Sequence, residues 1–83
     1  MAKITLYNDG ESFQVELVAP KVKHLADITA KSRESKLGEV AMLGVALEVL
    51  SNGELTADEF LDSDAVNLQI ASDFLAPFLS SHT

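Results

Sequence analysis

Cysteine and tryptophan are absent from these 83 residues, and lysine and arginine are absent from everything after position 36. Without cysteine the chain has no disulfide to brace it and no thiolate to bind metal or attack a substrate. That composition suits a reducing cytoplasm. The six cations are Lys3, Lys21, Lys23, Lys31, Arg33 and Lys36, whereas residues 37–83 carry eight acids, for a net charge of −7. Binding nucleic acid needs clustered cations to meet phosphates. The 21–36 cluster is diluted by Asp27 and Glu34, so no nucleic-acid partner is expected. Long apolar runs are also missing. The longest, "VAMLGVAL" at 40–47, is stopped by Glu48, far short of the ~18 residues a membrane span requires. The start, Met-Ala-Lys-Ile-Thr-Leu, has no apolar core of a secretion signal.

A chain this short makes one domain, 1–83, and buries only about 60% of its unfolded surface. Its core is marginal, which makes self-association or partner binding a natural source of extra stability.

What is present divides into a hairpin and helices. In "KITLYNDGESFQVEL", Asp9-Gly10 is a favoured two-residue turn, since Gly takes positive φ at no steric cost. With that pair at the tip, Leu6 faces Phe13 and Ile4 faces Val15, while Lys3 faces Glu16 and Thr5 faces Gln14. The apolar pairs fall on one face and the polar pairs on the other. The hairpin takes 1–18, and its apolar face must rest on helices. The helical part is expected over 20–76. Pro20 suits a first helical turn, and Val22, Leu25 and Ile28 then form a stripe running to about Lys31. His24, with no second ligand nearby, reads as a surface histidine.

"LGEVAMLGVALEVL" at 37–50 is apolar nearly all round. Val40, Leu43, Leu47 and Leu50 share one face; Met42, Val45, Ala46 and Val49 share the opposite one. Such a helix is central to a core or lies in an interface. Gly44 costs about 1 kcal/mol in a helix interior, so a close helix approach is expected there. Gly53 suits a left-handed helix end. Thr56 and Glu59 have capping-box spacing ahead of a short helix with Phe60 and Leu61.

The stretch "FLDSDAVNLQIASDF" at 60–74 allows three readings of Asp62, Ser63 and Asp64. A calcium loop fails at the fifth and sixth positions, Val66 and Asn67. A carrier serine, as in acyl carrier proteins, wants Leu after Asp-Ser and about half the chain beyond it; here Asp64 follows, with some twenty residues left. The third reading is a helix cap, since Ser and Asp accept hydrogen bonds from unpaired amides and suit the positive end of the dipole. A helix from 64 to about 76 follows, with Val66, Ile70 and Phe74 as its first stripe and Ala71, Leu75 and Leu68 extending it. Pro77 biases Ala76 away from helix, sending Phe78 and Leu79 onto a bent or extended tail, 77–83. No nucleophile, base and orienting group can be placed together, and there is no Gly-rich phosphate loop.

The order of these features resembles the small tail assembly chaperones of contractile-tailed, Mu-like phages and prophages. The segments carrying the resemblance are "FQVELVAP", "MLGVALEVLSNG", "LTADEFLDSD" and "FLAPFL". The family's layout is a strand ending in Pro, an apolar helix with a leucine-rich end, a Leu-x-x-Asp step and a last helix ending in Phe-Leu. Leu61 to Asp64 match the step, and Phe74-Leu75 match the ending. Val18-Ala19 and Lys23-His24 stand where the family often has charged and acidic residues. The resemblance implies a non-enzymatic chaperone that needs no cofactor or metal. It binds the tape measure protein in the host bacterial cytoplasm and is absent from the mature virion. It also implies the possibility of a longer form of the chain made by frameshifting. Alternatives are a carrier protein modified at Ser63 and a small structural virion or adaptor protein.

The expected architecture is therefore α+β, an N-terminal β-hairpin followed by three to four α-helices. Surplus apolar surface on Met42, Val45, Val49, Leu75, Phe78 and Leu79 is expected to supply a tape-measure or self-association interface.

Overall fold

A computed structural model of the chain describes residues 2–35 and 38–79. It is α+β: a two-stranded antiparallel hairpin, β1 (Ala2–Asn8) and β2 (Glu11–Leu17), then α1 (Val22–Ser35), α2 (Glu39–Leu50), α3 (Ala57–Leu61) and α4 (Val66–Leu79).

The hairpin has the register that its alternation demands. Leu6 pairs with Phe13, Ile4 with Val15, Thr5 with Gln14 and Lys3 with Glu16. Asp9 and Gly10 both take positive φ, 53° and 83°, the combination whose twist matches a two-residue hairpin. Ile4, Leu6, Val15 and Leu17 are buried and Phe13 half-buried. On the other face, Lys3 Nζ lies 3.6 Å from Glu16 Oε1 in an exposed pair, worth no more than about 1 kcal/mol.

Helix α2 is the hub. It touches α1, α3 and α4, and its last carbonyl, Leu50 O, accepts the Val18 N–H at 2.9 Å. Leu43, Val45, Ala46, Leu47 and Leu50 are buried, with Met42 and Val49 packed against them. The helix is thus central because both apolar faces are covered within one chain; only Val40, at its start, is exposed among its large apolar residues. A Cβ at Gly44 would stand 3.3 Å from both Ala57 O and Phe60 Cδ2, so the glycine lets α3 lie close. The helix ends as expected, with Asn52 and Gly53 at φ 56° and 84° and the Gly53 N–H donating to Glu48 O.

Helix α3 starts at a complete capping box: Thr56 Oγ1 accepts the Glu59 N–H, and Glu59 Oε1 accepts the Thr56 N–H. The backbone and then the side chain of Thr56 hold the Glu59 carboxyl below the usual glutamate range.

Three helix expectations are corrected. Helix α1 begins at Val22, after Pro20, and runs on to Ser35 rather than stopping near Lys31. Its stripe also turns: only Ile28 is buried, Leu25 is half-buried and Val22 is 84% exposed. Just ahead of the helix, the Lys21 N–H donates at 2.9 Å to Nδ1 of His24, which is half-buried. Helix α4 begins at Val66 and continues through Pro77 to Leu79, so Phe78 and Leu79 do not leave on an extended tail. Pro77 deprives the Asp73 carbonyl of its intrahelical donor. Asp73 and Pro77 are both exposed, so water can replace that bond, and only two helical residues lie beyond. Residues 80–83 lie outside the described residues.

Replacing Leu6 with Ala should cost about 3 kcal/mol in urea denaturation, because the side chain is fully enclosed. Phe13→Ala should cost clearly less, since its ring keeps part of its surface in water. The reverse order would show that the hairpin does not rest on the helices as described.

Candidate functional site

The four residues that join α3 to α4, 62–65, do not cap a helix in the way their composition suggests. Ser63 Oγ donates to Phe60 O at 2.6 Å and accepts from Asn67 Nδ2 at 2.7 Å. Both roles of the hydroxyl are taken inside the fold. The Asp64 carboxylate accepts the Asp9 and Gly10 N–H groups at the hairpin tip, each at 2.9 Å. Its own N–H donates to Tyr7 O at 3.2 Å. The expected cap on α4 is thus corrected: the carboxylate holds the turn of the hairpin. The positive φ of two successive turn residues aims adjacent N–H groups at a common point, which favours an anion there.

Asn67 completes the link. It is only 1% exposed. Its Oδ1 accepts the Tyr7 N–H, and its Nδ2 donates to Tyr7 O, both at 2.8 Å. Alternation in an antiparallel ladder turns the N–H and C=O of every second residue away from the partner strand. At Tyr7 the Asn67 carboxamide occupies the place a third strand would fill.

On the other side of this link lies an apolar groove of about 260 Å³. Val40 from α2, Phe60 and Leu61 from α3, and Ser63, Asp64, Ala65 and Leu68 line it. Phe60 is buried, but Val40, Leu61 and Leu68 are 49%, 48% and 39% exposed. Large apolar side chains gathered around one depression, rather than scattered, mark a contact surface. The groove is built wholly from the half of the chain with no Lys or Arg, and Asp58 and Asp62 on α3 and its end are exposed. A second apolar face runs along α1, where Val22, Leu25, Ala26, Thr29, Ala30 and Arg33 line a shallow surface.

The surface expected from the sequence is redistributed. Val45 and Leu75 are 7% and 2% exposed, core residues of the single chain and not open to a partner. Met42 and Val49 are half-buried against the core. The side chains of Phe78 and Leu79 fall outside the described part of the structure. The stripe of α4 is also rotated by one position. Asn67, Ala71 and Leu75 point inward at 1%, 0% and 2%, while Val66 is 51% exposed. Leu61, Val66 and Leu68, assigned to helices rather than to a surface, prove to be among the exposed apolar residues. Asn67 was missed because a polar residue does not register in a hydrophobic period. Its spacing to Ala71 and Leu75, four and eight residues, was the available signal.

Among the described residues no group of three or more His, Asp or Glu converges on a point that could hold a metal. No helix among them is long and apolar enough to cross a membrane. No family model, curated protein or solved structure matches the chain.

Asn67→Ala should destabilise the fold by about 1–3 kcal/mol, the cost of stranding buried polar partners. Asn67→Asp should not rescue it, because a carboxylate would face the Tyr7 carbonyl. Urea denaturation of both variants is the check; wild-type stability in Asn67→Asp would mean the carboxamide is not the tie.

Proposed function

We propose that the chain is a non-enzymatic tail assembly chaperone of a Mu-like phage or prophage. It would act in the host bacterial cytoplasm, binding the tape measure protein before the tail tube polymerises around it. The observation that carries this reading is the open groove of Val40, Leu61, Ala65 and Leu68. An aggregation-prone helical client needs its apolar stripe covered, and a hydrophobic groove is a recurrent way of doing so. The resemblance in layout supplies the identity of the client. The acidic surface around the groove favours solubility of the complex.

The carrier reading is less well supported. A serine that carries a prosthetic group needs a free hydroxyl, and Ser63 Oγ is held between Phe60 O and Asn67 Nδ2. As the resemblance implies, partners would be the tape measure protein and, where it is made, a longer frameshifted form of the chain.

Co-expression with the tape measure protein of the same phage tests the reading. The wild-type chain should keep that protein soluble and co-purify with it. Leu61→Glu combined with Leu68→Glu should leave it in the pellet, while circular dichroism of the variant stays that of the wild type. A folded double variant that still solubilises its client would remove the groove from the account.

A further inference from the structure

We propose that the apolar face of α1 in one copy of the chain docks in the groove between α2, α3 and α4 of a second copy. The two surfaces are complementary, and neither is covered within a single chain. On α1, Val22, Leu25, Ala26 and Ala30 recur at helical spacing over about 12 Å of helix, with Thr29 beside them and Arg33 at the far end. Val22 is 84% exposed and Ala26 and Ala30 are exposed. Among the described side chains of this helix Ile28 alone is buried, with Leu25 half-buried beside it, so α1 spends one edge on its own core and leaves Val22, Ala26 and Ala30 facing outward.

Charge identifies the occupant. Four of the six cations lie in the segment from Lys21 through α1, against two acids, Asp27 and Glu34. Lys31 lies 3.7 Å from Glu48 of its own chain, and Lys21, Lys23 and Arg33 are exposed and open to an outside partner. The groove has the opposite character: Asp64 in its wall, Asp58 and Asp62 exposed nearby, and no cation anywhere in the described residues after Arg33. A basic, apolar-faced helix is what such a groove accepts, and the chain itself carries one. Complementary charge at the edge sets the register of a contact that apolar burial drives.

The contact joins unlike surfaces: each copy has one helix to give and one groove to fill, so copies either exchange helices about a two-fold axis or associate head to tail. The groove is also the surface offered to the client above, so self-association and client binding compete. The inference rests on that reading only for this competition.

The test uses two surface variants of the full chain. Ala26→Glu spoils the helix face, and Leu61→Glu spoils the groove; both sites are exposed, and circular dichroism checks the fold. In sedimentation velocity the wild type should associate with rising concentration to a dimer or larger species. Each variant alone should associate about tenfold or more weakly. Mixed in equal amounts, they should form a 1:1 heterodimer that grows no further, because each keeps the surface the other lacks. A wild type that stays monomeric, variants that associate like the wild type, or a mixture that fails to pair would each overturn the proposal. The chaperone reading is tested separately: Ala26→Glu should still solubilise the client, and its failure to do so would count against that reading alone.

Discussion

The hairpin is tied to the helices by directed hydrogen bonds, with the Asn67 carboxamide at their centre. A two-stranded sheet leaves a row of unpaired backbone groups along each edge, and in isolation it is only marginally stable in water. Asn67 takes both the N–H and the C=O of Tyr7, and three residues earlier Asp64 takes both amides of the turn. Together they tie β1 to the start of α4 at its tip and along its edge. Apolar burial presses the hairpin against the helices but does not fix where along them it sits; these directional bonds do. Ser63, bonded to Asn67 and to the end of α3, extends the same network to the third element.

The consequence for function is geometric. The residues that grip the hairpin on one side line the groove on the other: Ser63 and Asp64 belong to both, and Ala65 and Leu68 sit beside Asp64 and Asn67 in the chain. The groove wall is therefore backed by a polar network and cannot easily collapse, while Phe60 beneath it packs where Gly44 lets α3 approach α2. The Asp64, Asn67 and Ser63 bonds fix the backbone that forms this wall.

Much of this was legible in the residues. Asp9-Gly10 and the alternation around it dictated the hairpin register, because a slip by one residue would have mixed the faces. Thr56 with Glu59 dictated the start of α3, and Gly44 the close approach of α3. The errors share a cause. Val66, Val22 and the "DSD" trio invite a reading from local periodicity and local capping chemistry, whereas Asp64 is claimed by a turn 54 and 55 residues away and Val22 and Val66 are left exposed. Val22 has helical spacing to Ile28, but α1 packs mainly on α2, so much of its apolar face is left outside. Pro77 was read as a helix stop because local sterics disfavour it, yet at an exposed last turn the lost bond costs little. Which apolar faces are covered is a tertiary fact, and the groove could not be seen before α2, α3 and α4 were placed together.

Amide hydrogen exchange at Tyr7 tests the tie most directly. By ladder alternation the N–H groups of Thr5 and Tyr7 both point away from β2, but only that of Tyr7 meets Asn67. The Tyr7 amide should exchange with the slow rate of the core, opening only when α4 separates from β1, and Thr5 should exchange far faster. Equal, rapid exchange at both positions would mean that Asn67 does not hold the strand.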